Sequence, residues 1–259
     1  MSWNKTRYEV ERGVAWITLD SPENRNALSA ELVSELGARL RAANDDAAVR
    51  VIVLTGSGSA FCAGADLKNR GDMGDSDGRN PFVGILESLR AGEKPVIAAV
   101  NGAAFGGGLG LVAAADVAIA VAGAKFSFSE VRLGLIPAMI SVVVLPKLGE
   151  HQTLRLFLTG ERFDANAALD YGLLHKVAAE GELRAVVNAT AAEIAKGGPI
   201  ALAEAKRLVR TVSRLPSDEA FRYAEEKIAA LFASDEAAEG MAAFVQKRSP
   251  RWVPTDAGE

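Results

Sequence analysis

A chain of 259 residues, 49% of them hydrophobic and 24% charged, is globular in composition and long enough for one large core, alone or with a small extension. The net charge of −4, with no long basic block, argues against nucleic-acid binding as the main role, and a single cysteine, Cys62, excludes an internal disulfide framework. The amino-terminal residues lack an apolar signal core and no unbroken apolar run of about 18 residues occurs, so a soluble, cytoplasmic protein is expected.

In chain order, Arg7 to Val10 and Val14 to Leu19 are β-prone runs flanking a tight turn, which predicts a hairpin. A helix is predicted from Ser29, a good N-cap, to Ala43, with Leu32, Val33, Leu36 and Leu40 on one face. Val49 to Thr55 reads as a buried strand, and the glycine-containing loop Ala60 to Leu67 follows it. Gly71 to Asn80 is polar and expected to be mobile; Pro81 to Ala91 reads as a helix. The strand Pro95 to Val100 leads into Asn-Gly-Ala-Ala-Phe-Gly-Gly-Gly and then a small-residue helix. Val117 to Val121 and Lys125 to Phe128 are further extended segments, and Ser129 to Pro137 is a loop entering a helix to about Leu148. Six helices are predicted beyond Glu150, with a strand only at Leu174 to Ala178, so an α/β core precedes a helical carboxy-terminal region.

The chemistry is expected at the two glycine loops. Consecutive glycines at 106–108 remove every Cβ where the chain turns into a helix, which lets a ligand approach unsatisfied N–H groups. Each loop follows an apolar strand and is read as opening a helix. If the strands are neighbours, both loops leave the same end of a sheet and can hold one developing oxyanion between two backbone N–H groups. Neither loop is a phosphate cradle of the Gly-x-x-x-x-Gly-Lys-Ser/Thr type.

Four ordered motifs carry a resemblance. Ala-Phe-Cys-Ala-Gly-Ala-Asp-Leu, Val-Asn-Gly-Ala-Ala-Phe-Gly-Gly-Gly, Ala-Asp-Val-Ala-Ile-Ala and Phe-Ser-Glu-Val-Arg-Leu-Gly-Leu-Ile-Pro are similar to those of the enoyl-CoA hydratase/isomerase (crotonase) superfamily, nearest in look to bacterial methylglutaconyl-CoA hydratase-type members. The resemblance spans nearly the whole chain. It implies a spiral of β-β-α turns over residues 1–195 and a helical trimerisation region over 196–259, assembled as trimers or dimers of trimers. It also implies acyl-CoA thioester substrates, coenzyme A entering as part of the substrate with no separate cofactor and no metal, and hydro-lyase chemistry in fatty-acid or leucine breakdown.

Residue by residue, the resemblance assigns the oxyanion N–H groups to Ala65 and Gly107 and an acid/base carboxyl to Glu130. Hydratases of this family commonly carry a second glutamate two residues beyond the glycine run; Gly110 stands there instead. A one-glutamate site is also the pattern of the family's Δ3,Δ2-enoyl-CoA isomerases, which makes isomerisation the nearest alternative. A non-catalytic CoA-ester binder or oligomeric interaction protein is the alternative of a different class. The usual glycine-rich segment after Pro137 is replaced by Ala138-Met-Ile-Ser141, so Met139 and Ile140 are expected beside Gly110 in the acyl pocket. A substrate with a distal carboxylate would need a cation, with Lys68, Arg70, Arg79 and Arg132 as candidates. Coenzyme A contacts are implied at the Ala63 and Ala65 backbone and at Phe244 and Lys247, the latter two from a neighbouring subunit; Ser59 replaces a lysine common in the family. His151, His175 and Cys62 read as structural, and Asp66 and Asp116 as loop braces.

Overall fold

The structure, a computed structural model, describes residues 3–67 and 78–253. Strands β1 (Thr6–Glu11) and β2 (Val14–Leu19) form the expected antiparallel hairpin. Helix α1 (Ala30–Asp45) is capped by Ser29, whose hydroxyl accepts the Leu32 N–H at 3.2 Å.

Three strand–strand–helix units follow. β3 (Val51–Gly56) and β4 (Ala60–Cys62) lead to α2 (Pro81–Ala91). β5 (Val96–Val100) and β6 (Ala103–Phe105) lead to α3 (Gly107–Ala114). β7 (Val117–Val121) and β8 (Lys125–Ser127) lead through a 3₁₀ turn, Glu130–Leu133, to α4 (Ala138–Thr159). Then come β9 (Arg162–Asp164), α5 (Ala165–Asp170), β10 (Lys176–Ala178) and the helices α6 (Leu183–Ala195), α7 (Pro199–Val212), α8 (Ser217–Phe232) and α9 (Asp235–Val245).

Within each unit the first strand joins one sheet and the second joins another. The larger sheet has the order β1-β2-β3-β5-β7-β10 and the smaller the order β4-β6-β8-β9. β3, β5 and β7 pair in parallel, as do β4, β6 and β8, so each unit is one turn of a spiral. Strands β2, β3, β5 and β7 of the larger sheet are apolar on both faces because both faces are covered, whereas the edge strand β1 is mostly exposed. Ile52, Leu54 and Ala98 face the core beneath α1, α2 and α3, whereas Val51, Val53, Ile97 and Ala99 pack with Val187 and Ala191 of α6.

The sequence reading differs from the structure in three places. β4, β6 and β9 are strands that the sequence does not announce, β4 lying in the stretch read as a loop from Ala60, because three residues are too few for a period of two to show and only pairing defines them. The loop after β4 opens no helix over 63–67; Ala65 instead forms a parallel bridge with Leu28. The helices read as ending near Leu148 and restarting at His151 are nearly continuous, interrupted at Gly149 (φ 67°, ψ 168°). Among the described residues, no helix is long and apolar enough to cross a membrane.

Two asparagines shape the approach to β4. Asn26 is fully buried; its side chain accepts the Ser21 N–H at 2.8 Å and donates to the carbonyls of Ser57 at 3.0 Å and Ala60 at 2.9 Å. Asn101 accepts the Gly56 N–H at 3.0 Å and donates to the Gly58 carbonyl at 3.1 Å. Together they hold 56–60 in a turn that swings the chain from the larger sheet to the smaller. Replacing Asn26 with Ala strands buried groups on both sides of that turn. The expected loss is about 2–4 kcal/mol of unfolding free energy, read from urea denaturation; a loss within experimental scatter would show that the clamp is dispensable.

Candidate active site

The parallel pairing of β4 with β6 sends both loops out of the same edge. A Cβ placed on Gly64 would lie 2.8 Å from the Phe105 carbonyl oxygen and 3.5 Å from the Gly107 nitrogen, so the two loops touch. The Leu28 N–H donates to the Gly64 carbonyl at 2.8 Å, which anchors the first loop against the start of α1. Gly107 is the first residue of α3, so its N–H has no acceptor within the helix. Both Ala65 and Gly107 line one cavity of about 910 Å³, and Glu130 lines it with them.

Each glycine of the run answers to a different neighbour. A Cβ on Gly106 would stand 2.9 Å from Oε1 of Glu130; on Gly107, 2.6 Å from Leu28; on Gly108, 2.4 Å from the Cys62 carbonyl; on Gly110, 2.3 Å from Cγ2 of Ile140. Gly106 also takes φ +47° and ψ −117°, which side chains strongly disfavour. Its N–H donates to the Ser127 carbonyl at 3.1 Å, tying the helix start to the end of β8.

Glu130 is placed by the aromatic packing beneath it. Phe126 and Phe128, both fully buried on β8 and just after it, pack against Phe163 and Phe157 at centroid distances of 5.5 and 4.8 Å, the first pair stacked and the second tilted. The turn that follows is closed by the Leu135 N–H donating to the Glu130 carbonyl at 3.0 Å. The Glu130 carboxyl then rests against Gly106, half-buried, with Oε2 out of contact with solvent and without a hydrogen-bond partner in the chain. Burial pushes its pKa above the ordinary carboxylate value, outweighing a backbone hydrogen bond that acts the other way. A desolvated carboxyl with one oxygen unpartnered, on the wall of a cavity, is costly to the fold and suited to proton exchange.

The remaining wall is largely apolar. α1 presents Val33 and the small residues Ala30, Ser34 and Gly37; α2 presents Phe82 and Ile85; Ile136 and the start of α4 close the opposite side. Met139 and Ile140 are both on this wall. Gly110 is buried under Ile140 rather than on the wall, and the same Ile140 occupies the space a side chain at 110 would need. Glu130 is the cavity's acid among the described residues.

The other sequence candidates fall elsewhere. Ala63 is half-buried beside the loop and donates its N–H to the Arg25 carbonyl at 3.0 Å, away from the cavity wall. Phe244 is 85% exposed on α9, and Lys247 is exposed just beyond that helix with φ +54°; neither reaches the cavity of its own chain. Lys68 and Arg70, and most of the segment read as mobile, lie outside the described residues. Arg79 pairs with Glu87 at 2.5 Å and Arg132 donates to the Thr159 carbonyl at 3.2 Å, and neither is on the wall. The cation that is on the wall, Arg41, was not among the candidates. Its signal was present as the helical spacing of Ala30, Ser34, Gly37 and Arg41, a small-residue face too narrow to pack as core.

The structural readings are met by specific contacts. Cys62 is fully buried, with burial raising its thiol pKa to about 12, far from a reactive thiolate. His175 accepts the Ala118 N–H on Nδ1 at 3.1 Å, and burial holds its pKa below the usual value. Asp66 accepts from Asn24 at 3.3 Å, and Asp116 accepts the Val96 N–H at 2.8 Å.

A spiral of β-β-α turns with paired amide loops and a lone buried glutamate defines an acyl-CoA enzyme of the crotonase type. The chain belongs to the enoyl-CoA hydratase/isomerase family, whose sequence profile matches residues 9–255. Carnitinyl-CoA dehydratase of Escherichia coli is 37% identical over 245 residues, covering 91% of this chain and 93% of that one. An enoyl-CoA hydratase from Shewanella pealeana superimposes with a TM-score of 0.90 at 33% identity, covering 96% of each chain. An enoyl-CoA hydratase/isomerase from Marinobacter aquaeolei gives 0.88 at 35% identity, covering 96% of this chain and 99% of the other. The protein is thus an enzyme of the hydratase/isomerase family, whose members act on acyl-CoA thioesters.

Two outcomes test the geometry. Native Glu130 binds its proton more tightly than the unfolded chain does, so its burial costs stability as pH rises through the raised pKa, and the cost vanishes below the ordinary value of 4.5. Glu130→Gln should therefore melt higher than the wild type at neutral pH, with the gap closing in acid; a lower melting temperature at neutral pH would contradict the orphaned carboxyl. Gly110→Ala should cost about 1–3 kcal/mol by overpacking, and Gly110→Ala/Ile140→Ala should cost less than the sum of the single changes. Additive costs would mean that the two positions are not in contact.

Proposed function

We propose that the enzyme hydrates 2-enoyl-CoA thioesters, and dehydrates the corresponding 3-hydroxy esters, with Ala65 and Gly107 on the thioester oxygen and Glu130 at the α-carbon. The observation that carries this reading is the meeting of the two loops and the Glu130 carboxyl on one cavity wall. Water adds to the β-carbon of the conjugated thioester, and negative charge moves to the thioester oxygen. The two N–H groups stabilise that charge, each worth about 3–4 kcal/mol in such sites. Glu130 then gives its proton to the α-carbon and takes up the proton that the added water releases, which restores the acid; in the reverse direction both transfers run backwards. With no second carboxyl on the described wall, the same Glu130 also orients the attacking water. The lyase chemistry named in the Escherichia coli relative supports this sense of reaction.

For the acyl group, the apolar wall favours a branched or medium-length hydrocarbon. Methylglutaconyl-CoA, the substrate suggested by the motif resemblance, needs a cation within about 5–6 Å of the reacting carbons, by the reach of its short chain. Arg41 is the cation on the described wall, and its Nη1 lies 3.5 Å from where a Gly37 Cβ would be. That level of α1 is about 10 Å beyond Ala30 at 1.5 Å per residue. A longer acyl chain would reach it more readily than the glutaconyl group.

Double-bond isomerisation is the second reading. It draws on the burial of Gly110 under Ile140, which leaves one acid to shuttle a proton between carbons. For assembly, the apolar side chains left in solvent on α8 and α9, Phe221, Phe232 and Phe244 at 72%, 64% and 85% exposed, support a homotrimer or dimer of trimers. Phe244 and Lys247 would then meet coenzyme A on a neighbouring copy.

A panel of crotonyl-CoA, 2-octenoyl-CoA, 3-octenoyl-CoA and 3-methylglutaconyl-CoA, followed at the ultraviolet band of the conjugated thioester, separates these readings. Loss of the band with the 2-enoyl esters is expected, fastest for the hydrocarbon chains. Appearance of the band only with 3-octenoyl-CoA would establish isomerisation instead. Glu130→Gln should lower turnover about 10²–10⁴-fold with little change in ester binding; retained turnover would remove Glu130 from the chemistry.

A further inference from the structure

α3 begins at the acyl cavity and ends at a second hollow, of about 740 Å³, which shares no lining residue with the first. Its charge is nearly all of one sign. Arg90 at the end of α2, Lys147 on α4, Lys206 and Arg210 on α7, and Arg214 just beyond α7 surround it, and Asp116 is the carboxylate among its lining residues.

Asp116 is already committed. Its Oδ1 accepts Arg210 at 2.6 Å, and its Oδ2 accepts Lys206 at 2.7 Å and the Val96 N–H at 2.8 Å. Lys206 also donates to the Lys94 carbonyl at 2.6 Å, and Lys147 donates to the Ala115 carbonyl at 3.5 Å. The carboxy-terminal end of α3 contributes about half a negative charge at most. No carboxylate of the described residues pairs with Arg90 or Arg214. Burial first, and then the charges of Arg214 and Arg210, hold the Arg90 guanidinium below its usual pKa. Burial, then Arg210 and Arg90 against Asp116, do the same to Lys147. Cations held this close in a half-buried hollow repel one another, and an anion with several acceptor oxygens relieves the repulsion. Guanidinium groups match phosphoryl oxygens in pairs, which a chloride ion cannot reproduce.

We propose that this hollow is a second binding site of the enzyme, taking a phosphoryl-bearing polyanion of diphosphate size between Arg90, Lys147 and Arg214. It shares no lining residue with the acyl cavity, and its occupant is taken to be distinct from the thioester's own coenzyme A. The cations already bound to Asp116 form its floor and would add long-range attraction.

The test is calorimetric titration of the full-length protein with sodium pyrophosphate at fixed ionic strength. Saturable binding is expected, weakened about tenfold or more in Arg90→Gln/Arg214→Gln. That variant should keep wild-type turnover of crotonyl-CoA, and should melt no lower than the wild type in phosphate-free buffer because repulsion has been removed. Lys147→Gln gives an independent measurement should the double variant fold poorly. Absence of saturable heat, equal affinity in the variants, or a raised KM for crotonyl-CoA in Arg90→Gln/Arg214→Gln would each overturn the proposal. So would a change in oligomer size of the Arg90→Gln/Arg214→Gln variant by sedimentation, which would assign the hollow to a contact between copies.

Discussion

A carboxyl group occupies the volume that a side chain on residue 106 would take. Oε1 of Glu130 stands 2.9 Å from that absent Cβ, and the backbone there turns through φ +47°. The site depends on this one approach. It brings the acid to the mouth of α3, beside the Gly107 N–H, with one carboxyl oxygen shut away from solvent. Any other residue at 106 would have to displace the carboxyl, reshape the turn, or both.

The two sheets exist to make that approach repeatable. A unit that places one strand in each sheet must cross between them, and the crossing loops of neighbouring units lie side by side. Asn26 and Asn101 stabilise one crossing by bonding the Gly56 N–H and the carbonyls of Ser57, Gly58 and Ala60. The Ser127 carbonyl ties the next unit to the turn at Gly106. The loop around Ala65, the turn at Gly106 and the turn at Glu130 therefore descend from the same step of three successive units.

α3 links the two hollows of the molecule. Its amino-terminal end brings the Gly107 N–H to the acyl cavity, and its carboxy-terminal end faces the cations gathered around Asp116. The helix is eight residues long and buried over nearly all its length, which is why it is built from glycine, alanine, leucine and valine. It has no room for charge along its sides, so its polar groups matter only at the ends.

Much of this was legible in the order of residues. The hairpin, the Ser29 cap, the helices from α5 onward and the alternation of strand and helix follow from local periodicity and capping chemistry, which act over a few residues. Glu130, Ala65 and Gly107 were legible as motif positions. Tertiary structure alone decided what lies against what. β6 and β9 are strands only because partners pair with them, and Ala65 is held by a bridge to Leu28 rather than by a helix of its own. Gly110 reads in sequence as a missing carboxylate, yet in space it is the seat of Ile140. Arg41 reaches the acyl cavity because α1 turns its small-residue face that way, and Arg90, Lys147 and Arg214 meet across more than a hundred residues of chain. Periodicity tells which face of an element is apolar; only the packing of distant elements determines which polar groups are left facing the same empty space.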